Sequence, residues 1–158
     1  MKKVILLLFL ESRAKRNIMD IYTKKVIELA SVIPFSERLY NPSISVTKRT
    51  PVCGSKITID MTVSGGKVSR FGQQVNACAL GQASATIVTR NVIGTTHSEM
   101  QTLHTTVKEM LNSDGPIPDR PFQDFEALTP ARNYKNRHAS ILLILDSILE
   151  GFHKLNLS

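Results

Sequence analysis

The 158-residue chain has no tryptophan, three tyrosines and two cysteines. Without tryptophan, and with no aromatic residues interleaved among the basic ones, its positive charge does not read as a nucleic-acid surface. Two cysteines cannot build a disulfide framework; Cys53 and Cys78 can make one bridge, half of a metal site, or two small buried hydrophobes. Nothing else points strongly to secretion, so the setting expected is a reducing cytoplasm, where paired cysteines are more often ligands or reactive thiols than a bridge. The longest apolar run, residues 4–10, has seven residues, far too few for a membrane span of roughly 20. Internal repeats, low-complexity tracts, a phosphate-cradling glycine loop and a Ser/His/Asp arrangement are all missing.

What is there fits an ordinary globular domain. The composition is 42% hydrophobic and 21% charged, and the length suffices to bury a core without disulfide or metal support. The net charge of +7 is unevenly spread: residues 1–25 hold seven Lys/Arg against two acids, so the remainder carries only +2. Lys2 and Lys3 before the apolar run imitate a signal peptide, but residues 11–16 offer no small-residue cleavage site. Residues 1–18 are therefore expected to be an N-terminal extension and residues 19–158 a single domain, with no stable membrane association.

Apolar positions 22, 26, 29, 30 and 33 have helical spacing, stopped by Pro34. The period then changes to two in residues 44–48, 56–63 and 67–75, which predicts three strands. Ser64, Gly65 and Gly66 read as a hairpin turn, and residues 50–55 as a turn carrying Cys53. Three sequential strands joined by short turns form an antiparallel meander. Its first connection and the end of its third strand share one edge, which brings Cys53 and Cys78 together.

The rest reads as helical. Asn76 is expected to cap a helix to Ile93, with Cys78 on its first turn, where the helix dipole favours negative charge. That helix is built from small residues on one side, a poor way to fill a core and a good way to present a thiol. A second helix, capped by Thr96 or Ser98, runs to Asp114 and Gly115; residues 122–128 form a short helical turn, and a long amphipathic helix spans about 136–153. Cys53, Cys78 and one histidine would make a ligand set suited to zinc or an iron–sulfur cluster. Of His97, His104, His138 and His153, His138 is the candidate, near the start of a last helix that can return to the cysteine edge; the alternative for it is a solvated or core-satisfied histidine.

At these residues the chain resembles the NifU/IscU/SufU family of iron–sulfur cluster assembly proteins. Pro51, Val52, Cys53 and Gly54 match the family's first-cysteine turn, and residues 78–86 match the Cys-Ala start of an Ala/Ser-rich helix. The family's usual aspartate two residues after the first cysteine is here Ser55, and its third cysteine, in an Arg/Lys-Cys-Ala context, is aligned with His138 in Arg137-His138-Ala139. The resemblance implies an α+β fold, a three-stranded antiparallel sheet with helices packed on one face. It implies a non-enzymatic scaffold that binds iron, sulfide or a nascent cluster through Cys53, Cys78 and His138, served by a cysteine desulfurase and delivering to apo iron–sulfur proteins. A zinc-bound sulfur acceptor and a degenerate structural member are the alternatives, and self-association into a homo-oligomer is left open.

Overall fold

The computed structural model describes residues 20–158; the expected extension, residues 1–18, lies outside them. Helix α1 (Lys24–Ser31) begins at Thr23, whose hydroxyl accepts from the Val26 amide, and it buries Val26 and Leu29. The three strands follow: β1 (Ile44–Arg49), β2 (Lys56–Ser64) and β3 (Lys67–Asn76). They pair antiparallel in the order β1-β2-β3. Gly65 and Gly66, both at positive φ (58° and 76°), form the two-residue β2–β3 turn, a conformation whose twist matches the strands it joins.

Central strand β2 is buried on both faces. Ile57, Ile59 and Met61 point one way with Val46 and Phe71, into the core; Thr58 and Asp60 point the other way. Asp60 is fully buried there under residues 38 and 39, where it takes both donors of the Arg38 fork (2.6 and 3.0 Å), the Leu39 amide (3.0 Å) and the Ser45 hydroxyl (2.5 Å).

Helix α2 (Ala79–Thr89) corrects two expectations. It starts two residues later than a cap at Asn76 would place it, because β3 continues through Asn76, which pairs with Lys56; Cys78 is the N-cap itself, with extended backbone, and not a first-turn residue. Its small residues also do fill a core, since Leu80, Gly81 and residues 83–89 are all buried. Small side chains let this helix pack closely between α1 and the last helix. A Cβ on Gly81 would lie 2.7 Å from Ser140 Oγ and 2.9 Å from Ala77 Cβ, and the Ser84 hydroxyl reaches the Ile141 carbonyl at 2.6 Å.

Helix α3 (His97–Asn112) is opened by a capping box between Thr96 and Glu99. The turn expected over residues 122–128 is a longer 3₁₀ segment, Gln123–Asn133. Helix α4 (Lys135–Lys154) then crosses β1 and β2 and packs on α2 and α3. Its buried residues include Ser140, Ile141, Ile144, Leu145, Ile148 and Phe152, a helical stripe facing one continuous hydrophobic core. The α+β architecture expected from the sequence is the one observed. Among the described residues no helix is long and apolar enough to cross a membrane.

Candidate thiol site

The register places Arg49 opposite Lys56, and Lys56 opposite Asn76. The β1–β2 connection and the exit from β3 are thus neighbours, and both free thiols, each half-buried, sit at this edge. The connection is clasped by backbone and side chain together: the Thr50 amide donates to the Ser55 carbonyl (2.9 Å) and the Ser55 amide to the Thr50 hydroxyl (3.0 Å). That clasp holds the Thr50 hydroxyl 3.0 Å and the Ser55 hydroxyl 3.5 Å from Cys53 Sγ.

Ser140, on the first turns of α4, joins the two thiols. Its hydroxyl lies 2.9 Å from Ser55 Oγ and 3.4 Å from Cys78 Sγ, and it reaches Cys53 through Ser55. Burial alone raises the Cys53 pKa. The hydroxyls of Ser55 and Thr50, the Ser55 amide and the Ser140 hydroxyl outweigh that and lower it to about 7, because each stabilises the thiolate.

His138 is not at this site, which corrects the expected Cys53/Cys78/His138 ligand set. Its buried imidazole lies with Nε2 3.0 Å from the Ala131 carbonyl and 3.2 Å from that of Arg132, and Nδ1 3.1 Å from Asn112 Oδ1. Carbonyls only accept, so Nε2 carries a proton and donates, which leaves it no lone pair for a metal. The reason is helical geometry. Residues two apart on a helix point roughly 200° from each other, so if Ser140 faces the thiols, His138 faces away, toward α3 and the 3₁₀ segment. His104 is engaged by Asp146 at 2.8 Å, and His97 stacks edge-on against Phe152.

Ser140 is the site residue that sequence reasoning missed. A signal was there: counting back from Ile148 in steps of four gives Ile144 and Ser140, which puts the serine on the buried stripe. Two thiols are soft donors that fit iron or zinc in part. Among the described residues, no three His, Cys, Asp or Glu side chains are grouped so as to hold a metal, so any further protein donors here are hydroxyls. A groove of about 590 Å³ between α3 and the loop that carries Pro116, Pro118 and Pro121, lined by Leu103, Ile117 and Phe122 among others, contains none of these groups.

The chain is thus an α+β domain with two thiols and three hydroxyls gathered at one sheet edge. Searches with protein-family models and among curated proteins find no match. Among solved structures, the N-terminal part of a nitrogen-fixing NifU-like protein from Brucella abortus is 36% identical, with a TM-score of 0.85 over 89% of this chain and 97% of that one. The chain belongs to the NifU-like N-terminal family. The same fold, at 18% identity and a TM-score of 0.74, is found in an iron–sulfur cluster assembly scaffold protein for the SUF system from Fervidobacterium islandicum AW-1, over 83% of this chain and 96% of that one.

Proposed function

We propose that residues 19–158 form a scaffold on which iron and sulfur are brought together during iron–sulfur cluster assembly. The observation that carries this reading is the meeting of Cys53 and Cys78, 25 positions apart, through the linked hydroxyls of Ser55 and Ser140. Membership of the NifU-like family supports it. Iron, sulfide or a nascent cluster is cargo here, held through the two thiolates and handed to an apo iron–sulfur protein by ligand exchange. The thiols act stoichiometrically, so the protein is not an enzyme, and a reducing cytoplasm keeps them free.

Cys53 is the thiol suited to receive sulfur, since three hydroxyls and an amide stabilise its thiolate. Its sulfur attacks the outer sulfur of a cysteine desulfurase persulfide. A new S–S bond forms on Cys53, the donor's S–S bond breaks, and the donor leaves as a thiolate. Atoms and electrons balance without an added oxidant.

Anaerobic reconstitution with ferrous iron and sulfide tests the reading. A visible charge-transfer absorption is expected, lost in Cys53→Ser and in Cys78→Ser. A colourless protein overturns the scaffold. The lowered thiol of Cys53 favours one second reading, a sulfur acceptor that holds zinc and no cluster. It predicts a colourless protein with one zinc, which gains one sulfur on Cys53 from a desulfurase and cysteine. A chain that retains neither metal nor sulfur is a degenerate member that has kept only the fold.

A further inference from the structure

We propose that the uncovered half of the sheet's outer face binds a small dianionic oxyanion, a phosphate or a compact dicarboxylate, through Arg49, Lys56, Gln74 and Asn76. No thiol takes part, so the site does not rest on the cargo reading. The register is the first support. Arg49, Lys56 and Asn76 stand in one row across β1, β2 and β3, and Thr47, Thr58 and Gln74 in the next. Directly opposite residues of an antiparallel pair point to the same face, here the face of Thr58 and Asp60, away from the helices. Chain covers that face only further along, where the Glu37 carbonyl and Leu39 lie over Gly72, the partner of Asp60. Arg49, Gln74 and Asn76 are exposed and Lys56 half-buried.

The second support is charge. Two cations directly opposite each other repel, and among the described residues no carboxylate pairs with Arg49 or Lys56. Neighbouring cations are answered, Lys48 by Glu150 and Arg38 by Asp60. Asp60 lies four residues along β2 from Lys56, roughly 13 Å, and its oxygens are already taken. A like-charged pair with no partner breaks a local rule of sheet building, and such breaks mark function more often than fold. The third support is shape. Lys56, Thr58, Gln74, Val75 and Asn76 line a hollow of about 170 Å³, the space of about five waters and enough for one small anion. Its border offers donors: an ammonium, two carboxamides and the Thr58 hydroxyl, which is shared with Thr47 at 2.9 Å, with the Arg49 guanidinium beside them. The row crosses two strand spacings, roughly 10 Å, so an anion with acceptor oxygens on several sides suits it better than a single carboxylate.

Thermal unfolding of the full chain in inorganic phosphate, in malonate and in chloride at matched ionic strength is the test, because an ion bound only by the folded state raises the midpoint with its concentration. Phosphate or malonate is expected to raise it above chloride and to saturate, and the one with the larger effect names the source. Salting-out by phosphate also raises midpoints, but without saturation and equally in every variant. Lys56→Gln and Arg49→Gln are each expected to weaken binding about fivefold, and the double variant to abolish the saturable part. Lys108→Gln, which removes an exposed cation on α3, leaves it intact. In the unsubstituted chain, amide NMR shifts on adding phosphate are expected at residues 47–49, 56–58 and 74–76. A midpoint with no saturable rise over chloride, or a double variant that responds as wild type does, overturns the site. Shifts spread evenly over all basic residues also overturn it, since they mean ion screening without a site.

Discussion

Two polar clusters lie on β2 or beside it, and they are built on opposite principles. On the face away from the helices, one carboxylate, Asp60, meets the Arg38 fork, an amide and a hydroxyl, so its charge is answered and its lone pairs are taken. At the strand's start, two thiols are met by hydroxyls and a backbone amide, with no arginine or lysine among the described residues bonded to either. A cluster that answers its own charge is closed and serves the fold. A cluster that gathers soft donors and gives them no cationic partner is open to a cation from outside, and this contrast separates anchor from site.

Removing the closed cluster should have the largest effect on stability. Asp60→Ala leaves Ser45 and the Leu39 amide without their acceptor, and breaking a buried pair typically costs about 3–5 kcal/mol. Because Arg38 is half-exposed and can turn to water, the expected loss is near the low end, about 3 kcal/mol by denaturant unfolding. Alkylation of Cys53 in the folded protein should not change. The pH dependence has a definite sign. Burial opposes the Asp60 charge, but Arg38, Ser45 and the Leu39 amide prevail and hold its pKa below the ordinary value. The stabilisation is therefore complete above the unfolded pKa of about 4 and is lost as pH falls through the lower folded value. Asp60→Asn should flatten that part of the stability curve; an unchanged curve would remove Asp60 as the anchor.

Gly81→Ala should come next and, unlike the first, should disturb both fold and thiols. The new methyl group meets Ser140 Oγ and Ala77 Cβ below 3 Å, an overpacking that costs about 2 kcal/mol. If α4 moves away to make room, Ser140 leaves Cys78. Stability and reconstitution with iron and sulfide should then fall together, and a stability loss with unaltered reconstitution would show that the thiols do not depend on this contact.

His138→Ala is expected to cost about 1 kcal/mol, through the carbonyls of Ala131 and Arg132 that lose their donor. A loss of reconstitution larger than the loss of stability explains would return the imidazole to the site.

That histidine marks where the sequence stopped being legible. The three strands, both turns and the meeting of Cys53 with Cys78 follow from period-two alternation and short connections, which are local properties. The end of β3 did not, because Asn76 is an equally good helix cap and strand end until Lys56 is seen opposite it. The role of α2's small residues was misread for a related reason. Smallness is ambiguous in one dimension, and only the approach of α4 shows what it makes room for. The third member of the site was placed by analogy with a motif, on the residue with the familiar ligand chemistry. Helical rotation instead assigns the thiol-facing position to Ser140, two residues on, a residue type that ligand-spacing patterns seldom include.

The smallest change sharpens the contrast between the clusters at one atom. In wild type, the rate of Cys53 alkylation should rise with pH to a midpoint near 7, set by its hydroxyl and amide donors. Ser55→Ala removes one of those hydroxyls while Thr50 and Ser140 remain, so the midpoint should move up toward the ordinary thiol value of about 8.5 without reaching it. Ser55→Asp places a carboxylate beside the thiol, and like charge should move the midpoint further in the same direction. The same aspartate should also tighten iron binding, since it places an anionic donor beside the thiols. Slower alkylation at neutral pH combined with tighter metal binding would mean that Ser55 keeps Cys53 reactive and its cargo exchangeable. A midpoint that stays near 7 in both variants would assign the activation of Cys53 to Thr50 and Ser140 instead.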